Sequence, residues 1–196
     1  TADGGGGDID CVSYTYEDIN DDSQDSTEEV SDGELKNGDF ESTDTAWTIS
    51  GGPFYDTDIY ASNNTTQVIK INSPSSDTDM SIKQKIKNLS AGTYKLSYRV
   101  SGASNMDFPL TAKVLDKDGN NLASSSGVTL NDWDNWIDAS TENFDISDGQ
   151  TITVIFEGTV STSFWGSLDD VRLEPVTAST RTFDIDTEVS THPVVE

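Results

Sequence analysis

The sequence predicts an all-β sandwich. Short apolar-alternating segments recur between turn residues along most of the chain, the pattern of a sandwich or barrel. No segment sustains a helical period, so no long helix is expected. Serine, threonine, asparagine, aspartate and glycine are abundant, as in extracellular β proteins.

Strands are expected near 35–41, 46–50, 57–61, 66–72, 79–87, 92–102, 109–116, 121–129, 135–146, 150–158 and 165–175. Three are well defined. In 93–102, Tyr94, Leu96, Tyr98 and Val100 share one face, and Lys95, Ser97 and Arg99 share the other. Ile152, Val154 and Phe156 alternate in the same way, as do Leu110, Ala112 and Val114. Residues 88–92 read as a turn. Residues 116–121 match the opening of an EF-hand, but Gly127 stands where its twelfth-position glutamate belongs. The stretch is therefore a hairpin turn in which Gly119 supplies a positive φ. Residues 147–149 read as a turn on the same grounds.

The rest of the chain is organised around residues 164–173, the expected last strand. Two adjacent carboxylates, Asp169 and Asp170, stand in its middle. Strands avoid aspartate, and successive residues of a regular strand cannot both face outward. A cation explains the pair, and its second half is expected upstream in residues 35–41. The first strand then lies beside the last.

Net charge is −25, from 36 acidic and 11 basic residues. Residues 1–35 carry 12 acidic and no basic residues, whereas 36–177 carry 20 and 10. This balance argues against nucleic acid and anionic membranes as partners. No apolar run is long enough to span a bilayer, so membrane insertion is not expected. With no initiator methionine and no signal peptide, the chain reads as a processed chain or a fragment; its composition suggests an extracellular, secreted or cell-surface location. Cys11 is the only cysteine, which excludes an internal disulfide or a cysteine-based zinc site. Asn63, Asn64 and Asn88 each open a glycosylation sequon.

Three regions are expected: an acidic flexible linker over 1–34, a binding module over 35–177 and a tail over 178–196. Both flanks carry a strand-like segment, 9–16 and 182–189, with Val12, Tyr14 and Tyr16 on one face of the first and Phe183, Ile185 and Val189 on one face of the second.

The motifs support a family reading. Leu35-Lys36-Asn37-Gly38-Asp39-Phe40-Glu41 followed by Trp47 resembles the opening of β-jelly-roll carbohydrate-binding modules of the galactose-binding-like superfamily. Leu89-Ser90-Ala91-Gly92-Thr93-Tyr94-Lys95-Leu96 is similar to one of their strands. Asp132-Trp133-Asp134-Asn135-Trp136 and residues 164–171 are most similar to modules appended to bacterial endo-β-1,4-galactanases. The resemblance covers about residues 35–176 and implies a jelly-roll fold. It also implies a structural calcium near the first and last strands. Glu41 and one of Asp169 or Asp170 would supply carboxylates, and backbone carbonyls near Asn37 to Asp39 would complete the site. Calcium takes six to eight oxygens, which suits that set.

The resemblance further implies sugar binding by aromatic rings, since the apolar face of a pyranose stacks on tryptophan or tyrosine. Trp133, Trp136 and Trp165 are the main candidates, with Tyr55, Tyr60 and Asn135 behind them. Trp133 and Trp136 are three apart and would point to opposite faces of a strand. Trp47 is expected in the core and at least one of the other three outside it. Asp132, Asp134 and Asp138 crowd the double-tryptophan stretch. Neutral sugars tolerate that acidity and acidic polysaccharides do not.

Catalysis is the least supported activity. His192 is the only histidine and stands beside Pro193, so no Ser-His-Asp arrangement is available. No carboxylate pair is singled out as a glycosidase centre. Two functions remain: a non-catalytic module binding a neutral polysaccharide or oligosaccharide such as β-1,4-galactan, or a structural or adhesive filament subunit. In the second, segments 9–16 and 182–189 would complete copies of itself by donor-strand exchange, with calcium at the joints.

Overall fold

A computed structural model describes residues 30–42, 46–57 and 66–176. These form twelve strands: β1 (Val30–Asp32), β2 (Thr48–Ser50), β3 (Phe54–Thr57), β4 (Gln67–Ile71), β5 (Thr78–Leu89), β6 (Gly92–Gly102), β7 (Thr111–Asp116), β8 (Asn121–Ser124), β9 (Ile137–Ser140), β10 (Phe144–Ile146), β11 (Gln150–Val160) and β12 (Gly166–Pro175). No helix occurs among the described residues. Two six-stranded sheets face each other in a jelly-roll sandwich. Sheet A runs β1-β5-β11-β7-β8, with β2 also on β5. Sheet B runs β10-β6-β12-β4-β3, with β9 also on β6.

The two-residue period decides what lies between the sheets. Ile82, Ile86, Val114, Val154 and Phe156 of sheet A meet Ile69, Leu96, Tyr98, Val100 and Leu168 of sheet B in one core. Tyr98 packs edge-on against Phe156 with ring centroids 5.0 Å apart. Trp47 is only 5% exposed and packs on Phe40 and Phe156, as expected of a core residue. Gln84 is the polar exception on the inner face of β5 and is buried. Its carboxamide accepts from the Ser31 hydroxyl and the Lys36 amide and donates to the Lys36 carbonyl, at 2.8–3.0 Å. It thereby fastens the incoming segment to sheet A.

Most expected strands occur, with five differences. In place of the strand expected at 57–61, β3 occupies Phe54–Thr57, and 58–61 lie outside the described residues. Residues 35–41 form a loop, because Asn37 and Phe40 hold left-handed φ values of 46° and 54° that no strand accommodates. The first strand is instead Val30–Asp32, parallel to β5 and upstream of the expected module boundary at Leu35. The stretch 135–146 divides into β9 and β10, and β8 stops at Ser124. Residues 116–121 make the expected hairpin, joining β7 to β8 with Gly119 at φ 81°. Asp116 accepts from the Asp118 and Asn120 amides and the Asn120 side chain, and the Asn120 bonds, its side chain's foremost, hold its carboxyl below the usual range. Segments 9–16 and 182–189, with Cys11, Asn63, Asn64 and His192, lie outside the described residues.

The first strand does not lie beside the last, since β1 pairs β5 in sheet A and β12 lies between β6 and β4 in sheet B; it is the opening loop that meets β12. The Val171 amide donates to the Gly38 carbonyl at 2.8 Å. The approach is so close that a Cβ on Gly38 would stand 1.9 Å from the Val171 carbonyl oxygen and 2.8 Å from Leu35. Backbone cannot yield as a flexible side chain would. Gly38→Ala is therefore expected to destabilise the fold by about 2 kcal/mol, read in a denaturant titration. A variant as stable as the parent contradicts this packing.

Candidate functional site

The outer face of sheet B collects the groups of interest. On β6, Leu96, Tyr98 and Val100 point into the core, so Ser97, Arg99 and Ser101 point away from it. The ladder sets Phe54 beside Lys70, Lys70 beside Ser167 and Ser167 beside Ser101. A second row sets Asp169 beside Arg99 and Arg99 beside Asp138. The Arg99 Nε stands 2.9 Å from an Asp138 carboxylate oxygen, an ion pair without hydrogen-bond alignment.

The double-tryptophan stretch closes over this face as a turn rather than a strand. The Asn135 amide donates to the Asp132 carbonyl, which also accepts from the Gly102 amide. The Trp133 amide donates to the Asp132 carboxylate at 2.8 Å. The strand argument for opposite-facing rings therefore does not apply. Trp133 and Trp136 are both half-buried, Asn135 is exposed, and the Lys70 ammonium lies 5.4 Å from the Trp133 ring centroid. Gly102 permits the close passage: a Cβ there would stand 2.5 Å from the Trp165 carbonyl and 2.8 Å from Leu130.

Trp165 is 45% exposed and shares the outward parity of Ser167 and Asp169. Phe54, 40% exposed, stands at the other end of the Ser101–Ser167–Lys70 row. In the same row, the hydroxyls of Ser101 and Ser167 are buried and make no hydrogen bond. Tyr55 is not on this face. It points inward, with its ring 6.1 Å from that of Phe40. Tyr60 lies outside the described residues. Of the groups gathered on this face, the sequence had pointed to Trp133 and Trp165 but not to Phe54, Lys70, Arg99, Ser101 or Ser167. The period of 92–102 had put Arg99 on the outward side, but the cross-strand partners that make a surface of it follow only from the register.

The cation set is partly assembled. Asp169 is 0% and Asp170 8% exposed, so neither faces outward into solvent. A bulge between Asp169 and Arg172, with Asp170 at φ 54°, breaks the alternation. Asp169 keeps to the side of Arg99, while Asp170 is turned to Arg172 at 2.6 Å. Asp170 lines a surface cleft with Gly38, Asp39 and Arg172. Asn37 is occupied in the loop: its carboxamide brackets the Ser42 backbone, and its carbonyl accepts from the Trp47 indole at 2.9 Å. Glu41 accepts from the Thr66 and Gln67 amides and the Thr66 hydroxyl, at 2.6–2.9 Å. Among the described residues, no three acidic, histidine or cysteine side chains are grouped to share a metal ion. Three carboxylates, Glu34, Asp39 and Asp170, line that one cleft together with Arg172. Glu41 sits in a cradle of N–H groups instead.

The structure is thus a β-sandwich with exposed rings, buried hydroxyls and an ion pair on one sheet face. A family model described as a carbohydrate binding domain matches residues 33–163, and the chain belongs to that family. Among solved structures, it is similar to TmCBM61 in complex with beta-1,4-galactotriose, at 20% identity and a TM-score of 0.61, covering 74% of this chain and 99% of that one. It is also similar to an arabinose-bound MgGH51 α-L-arabinofuranosidase (16% identity, TM-score 0.53, 72% of this chain and 26% of that one). A third likeness is to the enzymatically active domain of bacteriophage CBA120 tailspike protein 4 (14%, 0.52, 74% and 21%). These likenesses are of fold. Comparison with curated proteins gives no match.

The N–H groups around Glu41, that of Gln67 foremost, hold its carboxyl below the usual carboxylate range. A depressed folded pKa contributes stability above the unfolded value of about 4.3 and loses it as pH falls through the folded value. Glu41→Gln is therefore expected to melt lower than the parent at pH 7, with the gap narrowing under acid until both melt together. A gap independent of pH contradicts the assigned role.

Proposed function

We propose that the protein is a non-catalytic, extracellular carbohydrate-binding module that holds a neutral glycan, β-1,4-galactan foremost, against the outer face of sheet B. One observation carries this reading: Trp165 and Phe54 stand exposed on the same face as half-buried Trp133, around a polar floor of Ser101, Ser167 and Arg99. Rings stack on the apolar faces of sugars, and the hydroxyls and guanidinium bind sugar hydroxyls. Asp132, Asp134 and Asp138 rim the face with negative charge, which disfavours uronic acid polymers. The galactotriose bound by TmCBM61 makes galactan the first ligand to try.

Titration calorimetry with galactan oligosaccharides is expected to show binding that Trp165→Ala weakens about tenfold, or about 1.4 kcal/mol, with unchanged far-ultraviolet circular dichroism. Failure to bind any member of a broad neutral-glycan panel would overturn the reading.

The proposal includes calcium at the cleft of Asp39 and Asp170. It rests on the family resemblance and on the carboxylates that share that cleft, where the ion would compete with Arg172 for Asp170; Glu41 is engaged by the Thr66 and Gln67 N–H groups instead. Bound there, the ion would tie the opening loop to β12. Chelation is then expected to lower the melting temperature by several degrees, and Asp170→Asn to remove the response. An unmoved melting temperature contradicts calcium binding.

A further inference from the structure

The polar floor of the candidate face is covered. Ser101 and Ser167 are adjacent in register and share the outward parity of Trp165, yet they are 1% and 0% exposed, and neither hydroxyl has a hydrogen-bond partner. A side chain on the open face of a sheet is wetted unless another segment lies over it. The contacts of residues 131–136 identify that segment. On one side of the pair, the amide of Gly102, next to Ser101, donates to the Asp132 carbonyl. On the other, Lys70, beside Ser167 in the ladder, holds its ammonium 5.4 Å from the Trp133 ring centroid. β6 and β4 lie two strand spacings apart, about 10 Å, with β12 between them. Consecutive residues therefore grip both flanks, and the turn spans Ser101 and Ser167.

The span is fixed at its ends and loose in its middle. Before it, the Ser104 hydroxyl donates to the Asn131 carbonyl at 2.6 Å; after it, Ile137 pairs with Val100 as β9 begins. Between these posts, the backbone bonds that the Asp132 carbonyl accepts are long. That from Gly102 is 3.5 Å and that from Asn135 is 3.4 Å, against an ordinary N–H···O distance of about 2.9 Å. The Trp133 contact is a half-buried cation–π pair, a weak attraction where water reaches it. Closure also strands two hydroxyls that water would otherwise satisfy, which works against the closed arrangement.

We infer that residues 131–136 form a lid over a hydroxyl-binding subsite, hinged at Asn131 and Ile137 and latched by Trp133 on Lys70. Opening frees the Ser101 and Ser167 hydroxyls. Each serine hydroxyl both donates and accepts, and opposite Cβ atoms on paired strands stand about 5 Å apart. One neutral hydroxyl placed between them accepts from one and donates to the other. The lid is a property of the free chain. That the admitted hydroxyl belongs to a sugar rests on the reading above, and occupancy of the pair then holds the lid open.

Thiol accessibility in the full chain, with Cys11→Ser, tests the lid. Ser101→Cys places a thiol under it, and Val100→Cys places an equally buried one in the core from the same strand. Reaction with an aromatic disulfide reagent is expected to be at least about tenfold faster for the first, because local opening outpaces global unfolding. Trp133→Leu and Lys70→Met should each speed it further and leave the core thiol unchanged. In the parent chain, relaxation-dispersion NMR should show exchange at the Trp133 indole and the amides of 132–135, and none at the Trp47 indole. β-1,4-Galactotriose should move the Trp133 signal toward its minor-state shift. Equal thiol rates, or rates that ignore both latch substitutions, overturn the lid whether or not the sugar binds. Galactotriose that binds and leaves the Trp133 exchange unaltered overturns the gating. A fast Ser101→Cys thiol in a chain that binds no galactotriose overturns the sugar reading and leaves the lid standing.

Discussion

The backbone turn at Asp170 is the constraint on which the rest of the structure depends. A left-handed φ at a non-glycine residue costs energy and persists only where neighbours fix it. Here the neighbours are the Asp169 carboxylate on the Asp170 amide, Arg172 on the Asp170 carboxylate and the Gly38 carbonyl on the Val171 amide. The turn sends Asp169 toward the outer face of sheet B and returns Val171 to the core. One irregularity in β12 thus serves both the polar floor of the candidate site and the seam that joins the opening loop to the last strand.

The opening loop shows the same economy of contacts. Asn37 and Phe40 take left-handed conformations that place the Phe40 ring in the core beside Trp47. The indole N–H then finds the Asn37 carbonyl, so a buried polar atom is satisfied by the loop that brought the ring there. Glu41 ends the loop by gathering the N–H groups at the start of β4. These bonds tie sheet B to a segment that Gln84 has already fastened to sheet A, and the two sheets close around a common entry point.

The strands with a strict two-residue period were legible in the sequence, because alternation of Leu96, Tyr98 and Val100 or of Ile152, Val154 and Phe156 has one packing solution. Residues 35–41 were not. Their apolar members alternate imperfectly, and left-handed φ at Phe40 has no compositional signal. The twin aspartates marked a special place, and in the structure a bulge and an arginine answer them. Trp47 in the core and Trp165 outside it follow the expected division. The polar half of the candidate face was illegible because Ser101, Ser167, Lys70 and Arg99 are ordinary strand residues until cross-strand register sets them side by side.

The central claim is that the outer face of sheet B receives the sugar. Amide and indole chemical-shift mapping with β-1,4-galactotriose tests it most directly. The account predicts shifts concentrated at the Trp133 and Trp165 indoles and along Arg99, Ser101 and Ser167. Shifts confined to sheet A or to the β7–β8 hairpin, with those indoles unmoved, would contradict it.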